Sequence, residues 1–407
     1  MLNCRLCGST DLYKFLDLGF TPPADQFRRK DQLKEPVIHY PLEVCVCDVC
    51  SFVQLNHIVT PEILYRNDYP YESSTTRQGY EHWDGFAEDV VSRFDLDKDS
   101  LVVDIGSNVG TLLSRFKSRG TKVLGVDPAA NIVRMANENG IETICDFFNS
   151  ESVDTITEKS GKASVITGTN VFAHIDDLSS FINNAKKLMT KKGVLIIEAP
   201  YFVNLVNKLE YDTIYHEHLS YISIKPLVPF LEKFNMEIFD VRQVDIHGGS
   251  CRIYMAEKNS RKVEPIVGEL IENEISMKLY DHKTLDEFSE KVKQNRFELT
   301  TLLSKLKSEG KTIVGVSAPA KGMTLLNYCK IGKQLLDVVT EKSKLKIGRY
   351  TPGDHIPVVT DEYLLEHQPD YALLLAWNFA DEIIKNNSEY QKRGGKFIIP
   401  IPMPHIV

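Results

Sequence analysis

Residues 101–128 are LVVDIGSNVGTLLSRFKSRGTKVLGVDP. Its first five residues are a short, mostly β-branched apolar run interrupted by one aspartate, which reads as a strand. A turn with Gly106 and Gly110 follows, then a stretch of helical period, then a second apolar run over 123–126 ending in Asp127. Strand, glycine turn, helix and strand together open a parallel α/β sheet. Glycines let the backbone close on a ligand at a helix N-terminus, and an acid at the tip of the second strand can accept both hydroxyls of a ribose. The spacing lacks the middle glycine of the G-x-G-x-x-G dinucleotide fingerprint.

Downstream, ASVITGTNVFAHIDDL (163–178) and GVLIIEAP (193–200) read as the fourth and fifth strands of the same doubly wound sheet. Ligands of such sheets sit beyond the carboxyl ends of the strands, which puts Asn170, His174 and Glu198 in the expected crevice. Upstream, Cys4-x-x-Cys7 and Cys47-x-x-Cys50 form two knuckles separated by 39 residues. Thiolates three apart on a tight turn can face one ion, and two such turns complete a closed tetrahedral zinc sphere, structural rather than catalytic. Cys45 is a spare thiol.

The totals bound the partners. With 407 residues the chain is long enough for two or three cores, and 43% hydrophobic with 26% charged residues is ordinary globular composition. A net charge of −8 without clustered Lys and Arg argues against a nucleic-acid partner, whose phosphates demand such clusters. The longest apolar runs are of strand length and the N-terminus has no leader pattern, so a cytoplasmic protein without membrane attachment is expected. A monomer is the working expectation, with oligomerisation left open.

The densest polar stretch is EYDTIYHEHLSYIS (210–223), where Tyr215, His216, Glu217 and His218 are consecutive. Two histidines at i and i+2 do not match the i, i+4 pair of a helical metalloprotease site. On a strand His216 and His218 would share one face, with Glu217 opposite. Farther on, DIHGGSCRIYMA (245–256) reads as a strand pair whose Gly248 and Gly249 permit a close turn.

In the last third, residues 284–307 form a long helix with Leu285, Phe288, Val292, Leu299, Leu302, Leu303 and Leu306 on one side and a capping box at Thr284-x-x-Glu287. KTIVGVSAPAKGMTLLNY (311–328) then repeats the strand, small-residue turn and helix plan, and LDVVTEKS, YALLLAW and KFIIPIP supply further strands of a second α/β sheet. Its SAPAKG turn can offer backbone N–H groups to phosphate, with Lys321 as a point charge and Arg349 as a bidentate partner.

The D-x-G-x-x-x-G pattern with an acid some 20 residues on resembles motif I of class I S-adenosylmethionine methyltransferases. The zinc knuckles, that motif, YHEH, GVSAPAKGMTLLNY and KLKIGRYTPGDHIPV, in this order, resemble the nucleotide-sugar C-methyltransferases of deoxysugar pathways over nearly the whole chain. The resemblance implies three units: a zinc-binding domain at 1–75, a Rossmann-like S-adenosylmethionine-binding domain at 76–258, and a second Rossmann-like α/β domain at 259–407 holding the sugar nucleotide. It implies that Asp104, Gly106 and Gly110 line the methionine and ribose end of the cofactor, that Asp127 holds the ribose hydroxyls, that Asp146 and Phe147 flank the adenine, and that Asn170 adjoins them.

The reaction it implies is methylation of a ring carbon beside the 4-keto group of a nucleotide-linked deoxysugar. A base must remove a proton there and donors must stabilise the enolate oxygen, so the crowded tetrapeptide gains a purpose. By the same resemblance His218 is the base, Tyr215 and Glu217 assist or orient it, and Tyr71 and His174 line the pocket, with His247 a further substrate contact. Two positions depart from the family pattern: Val109 stands where Asp is common, and Met323 where Asn is common. Methylation at oxygen or nitrogen, and a non-catalytic sugar-nucleotide-binding protein, are the competing readings.

Overall fold

The structure is a computed structural model that describes residues 3–65, 70, 77–245 and 248–407. Tyr71 and His247 lie outside the described residues. Three sheets organise the chain.

The first is antiparallel: β1 (Leu12–Thr21), β2 (Tyr40–Cys47) and β3 (Val53–Leu55). Leu42, Val44 and Val46 of β2 alternate into the core as a half-buried strand requires. The sheet is completed from far along the chain by β9 (Ser220–Tyr221), which pairs Val53 with Tyr221 and Gln54 with Ser220.

The second sheet carries β4 (Leu101–Ile105), β5 (Lys122–Asp127), β6 (Thr143–Cys145), β7 (Ala163–Thr169), β8 (Met189–Pro200), β10 (Met236–Val244) and β11 (Ser250–Glu257). Their order is β6-β5-β4-β7-β8-β11-β10. The first five in chain order are parallel, while β11 runs antiparallel to β8 and β10 antiparallel to β11. All five residues of β4 are buried because helices cover both faces: Val102, Val165 and Ile196 pack with Trp83, Phe86 and Phe116 on one side, while Val103, Ile105 and Ile197 join the main core on the other. Strand order reverses between β4 and β7, the point at which a doubly wound sheet ordinarily receives its ligand.

The third sheet has the order β14-β13-β12-β15-β16-β17, from β12 (Ile313–Val316), β13 (Val339–Glu341), β14 (Val358–Thr360), β15 (Tyr371–Leu374), β16 (Lys396–Ile399) and β17 (His405–Ile406). All pairings are parallel except that of the last strand. This is a second doubly wound half, with its own reversal between β12 and β15.

The long helix spans His282–Ser308 and buries Leu285, Phe288, Val292, Leu299, Leu303 and Leu306, as its periodicity indicates. Its N-cap is Asp281, so the capping box expected at Thr284 does not form: the helix begins earlier and Thr284 lies within it. The small N-terminal unit also reaches the third sheet. The buried Lys346 ammonium bonds Asp25 at 3.2 Å and the Ala318 carbonyl at 2.8 Å, and Arg28 forms a bridge with Tyr350. Among the described residues no helix is long and apolar enough to cross a membrane.

Candidate active site and zinc cluster

The four knuckle cysteines converge, with their sulfur atoms all within 4.8 Å of one another. Cys4 and Cys50 sulfurs are 3.4 Å apart and those of Cys7 and Cys47 3.6 Å, close to the ~3.8 Å edge of a tetrahedron built on zinc–sulfur bonds of about 2.3 Å. Each knuckle is closed by a backbone bond, Gly8 N–H to Cys4 and Ser51 N–H to Cys47, both 2.8 Å. Four thiols on two tight turns fit zinc and leave no position for water. Cys45 points elsewhere and burial pushes its thiol up to about 11.

The cofactor end is built from strand ends. Gly106 and Gly110 both take positive φ, 65° and 80°, and side chains there would collide with Val171 and Ile141 respectively. The loop between them is held by Asp127, whose carboxylate accepts from the Asn108 N–H at 3.0 Å and the Ala129 N–H at 2.9 Å. Asp104 is buried and accepts from Thr167 Oγ1 at 2.7 Å, and burial pushes its carboxyl up to about 7. Asp146 accepts from the Phe147 N–H at the end of β6, and Asn170, in the left-handed region with φ 56°, donates its N–H to the Glu198 carbonyl at 2.7 Å. All seven expected cofactor residues therefore lie at or just beyond the carboxyl ends of β4 to β7. Two carboxylates beside a glycine turn fit an adenosyl group bearing an ammonium and ribose hydroxyls.

The tetrapeptide 215–218 forms a turn, not the strand that would have put its histidines on one face. The difference is physical: the His218 N–H returns to the Tyr215 carbonyl at 2.8 Å, so the two imidazoles diverge. His216 packs edge-on against Tyr40 and reaches that residue's carbonyl at 3.3 Å, back in the first sheet. His218 instead lies with its ring centroid 4.0 Å from Tyr215 and 5.1 Å from His174. Its Nδ1 is 2.7 Å from the Thr213 carbonyl, which can only accept, so Nδ1 carries the proton and Nε2 of the neutral ring keeps a lone pair.

His174 stacks on Tyr65 at 5.9 Å, and its buried Nε2 has no partner among the described residues. Burial, then the neighbouring His218, which disfavours a second positive charge beside it, hold it far below the usual imidazole range. Glu217 is buried close to Tyr65, whose phenol is raised by burial and by that carboxylate.

Glu198 is buried and already paired. One oxygen meets His82 at 2.6 Å and the other Arg252 at 2.8 Å, because a fully buried carboxylate requires paired donors. Lys321 is partly buried: its ammonium bonds Asn378, sits 4.9 Å over the Trp377 ring, and is attracted by Asp212 and Glu210. Arg349 is half-buried on the turn that pairs Tyr350 with Arg28. Sequence reading passed over Glu210, Asp212, Trp377, Arg252, His82 and Arg5. The first two stood in the quoted stretch 210–223 as an unexplained pair of acids, whereas the others gave no local signal.

Three families match consecutive parts of the chain: "Putative zinc binding domain" at residues 4–65, "Methyltransferase domain" at 80–241 and "C-methyltransferase C-terminal domain" at 245–402. The C-methyltransferase NovU of Streptomyces niveus is 35% identical over 406 residues, spanning 100% of this chain and 96% of NovU. The chain belongs to the C-methyltransferase family. As a member of the C-methyltransferases it is an S-adenosylmethionine-dependent enzyme with an N-terminal zinc-binding unit.

Among solved structures, magnesium protoporphyrin IX methyltransferase of Synechocystis PCC 6803 with bound SAM is 15% identical, covering 44% of this C-methyltransferase and 79% of its own chain at a TM-score of 0.34. The CcbJ methyltransferase of Streptomyces caelestis is 11% identical, covering 43% and 89% at 0.35. Both likenesses are confined to less than half of the chain.

Proposed function

We propose that this enzyme methylates a ring carbon, C3 or C5, adjacent to the 4-keto group of a nucleotide-linked deoxysugar. The observation that carries the reading is the His218–Thr213 contact, which leaves Nε2 as a base beside a second neutral imidazole and a phenol. His218 Nε2 takes the proton from the carbon next to the ketone, and the electron pair moves onto the ketone oxygen as an enolate. Tyr215 donates a hydrogen bond to that oxygen, Glu217 orients the base, Tyr71 and His174 line the pocket, and the His174 Nε2, without a partner among the described residues, is available to the sugar. When bound, S-adenosylmethionine supplies an electrophilic methyl on a sulfonium. Asp104 and Asp127 hold its polar ends, with Gly106, Gly110, Asp146, Phe147 and Asn170 shaping the rest of the cleft.

In this reading residues 1–75 bind zinc, 76–258 bind the cofactor and 259–407 receive the sugar nucleotide, with Arg349, Lys321 and His247 toward the substrate. Lys321 can serve phosphate only by sharing its charge with Asp212 and Glu210. Four reduced thiols at the zinc site support a cytoplasmic location.

The test is solvent exchange. In deuterated water, with a panel of TDP- and UDP-linked 4-keto-6-deoxyglucose and no S-adenosylmethionine, the enzyme exchanges one sugar proton. His218→Asn and His218→Ala slow this by about 10²–10⁴ while cofactor binding persists. Unimpaired exchange, or a product methylated on a heteroatom, sinks the reading.

A further inference from the structure

The reversal point of the third sheet is the place where an open α/β sheet ordinarily receives a ligand. Its two loops carry Lys321, at the start of the helix Ala320–Cys329 after β12, and Trp377, after β15. Both point at the short turn Tyr211–Thr213 of the segment that bears His218. The indole N–H of Trp377 donates to Asp212 Oδ2 at 2.7 Å, and Asp212 is 0% exposed. One residue earlier, the Tyr211 hydroxyl donates to Asn295 Oδ1 at 2.7 Å, and Asn295 in turn donates to the carbonyls of Pro400 and Pro402 at 2.8 and 2.9 Å. One residue later is Thr213, whose hydroxyl is tied to the Glu210 carbonyl at 2.7 Å and whose own carbonyl accepts from His218 Nδ1.

We propose that Asp212, bonded by Trp377 of the C-terminal sheet with the Lys321 charge nearby, is a positioning residue for His218, so that this sheet sets the basicity and aim of the base as well as receiving substrate. This rests on the reading of His218 as the base. Burying a carboxylate is costly, and burying one with an indole N–H and an ammonium brought from another sheet fixes that sheet's placement to the turn. A carbonyl fixed against Nδ1–H stabilises the imidazolium that forms when Nε2 takes the proton, and a shift of about 1 Å in such a group costs about a hundredfold in rate. The rings of Tyr215 and His174 face His218, and the acids Glu210 and Asp212 flank its carbonyl partner Thr213 in sequence, with Glu217 its immediate neighbour.

The experiment uses Trp377→Phe, which removes only the indole N–H, and the isosteric Asp212→Asn. Solvent exchange on the TDP-linked sugar is followed against pH, with S-adenosylmethionine affinity and melting temperature as controls. Both variants are expected to exchange about 10- to 100-fold more slowly, with the midpoint of the ascending pH limb moved to lower pH because the imidazole loses basicity, and with cofactor affinity preserved. The double variant loses no more than the worse single one, as for groups acting in one chain. Slower exchange with an unmoved midpoint assigns a merely structural role and overturns the proposal, as does undiminished exchange. If His218→Asn loses exchange while both variants keep it, only the positioning role falls. If His218→Asn exchanges normally, the base reading and this proposal fall together.

Discussion

Arg5, seated between two knuckle cysteines, donates its guanidinium to the carbonyl of Leu219, the residue that follows His218. The same side chain reaches the Leu55 carbonyl and Ser220 Oγ, both at 3.4 Å. The zinc knuckle thus grips the outgoing end of the turn that bears His218. Removing zinc with a chelator is expected to release the first sheet and slow solvent exchange about tenfold or more, while calorimetry still shows S-adenosylmethionine binding to the second sheet. Full exchange by zinc-free protein would contradict this coupling.

Asp104 sets a pH dependence of its own. Folding raises its carboxyl from the ordinary 3.8 to about 7 by burial, so the folded chain keeps a proton that the unfolded chain releases across that window. Stability contributed by this group is therefore full below pH 3.8 and lost as pH rises to about 7, a loss of about 4 kcal/mol at 1.36 kcal/mol per unit. Asp104→Asn in the cofactor-free protein should melt higher than the parent at pH 8 and equal to it near pH 4. A parent that is the more stable at pH 8 would refute the assignment.

His216 has the opposite sign. Burial depresses its imidazole from 6.5 to about 4, so below pH 6.5 the unfolded chain takes a proton that the folded chain refuses. Its contribution is full above pH 6.5 and declines by about 3 kcal/mol on the way to pH 4. His174, also held low by burial, adds to the same acid loss. Denaturant midpoints of His216→Gln against pH should fall less steeply than those of the parent between 6.5 and 4.

Gly106→Ala tests the cofactor turn. The new methyl meets Val171 at a backbone angle that L residues avoid, so cofactor affinity should fall by roughly tenfold and stability by about 1–3 kcal/mol. Val171→Ala added to it should restore part of both, since the collision is with that side chain. No rescue would mean that the φ of 65° alone decides the cost.

What the sequence made legible was local. Cys4-x-x-Cys7 and Cys47-x-x-Cys50 announce a four-ligand cluster because ligand spacing on a turn is a short-range property, and the run 101–128 announces its sheet because apolar period and glycine placement are too. The 215–218 segment was legible as chemistry but not as geometry, since a turn and a strand carry the same residues and only the His218 N–H to Tyr215 bond separates them. Trp377 to Asp212 and Lys346 to Asp25 span 165 and 321 positions, and no periodicity encodes a partner that far away.

The pairing of β9 with β3 means that the segment bearing His218 is stitched into the smallest sheet, while the Asp212 turn just before it is bonded by Trp377 of the third. A chimera that grafts another relative's C-terminal half onto this chain must therefore carry over the partners of Tyr211 and Asp212, not only the lining of the sugar pocket. Grafts that keep Asn295, Lys321 and Trp377 matched to residues 210–213 should stay active, and mismatched ones should fold yet stall before the carbon is ever deprotonated.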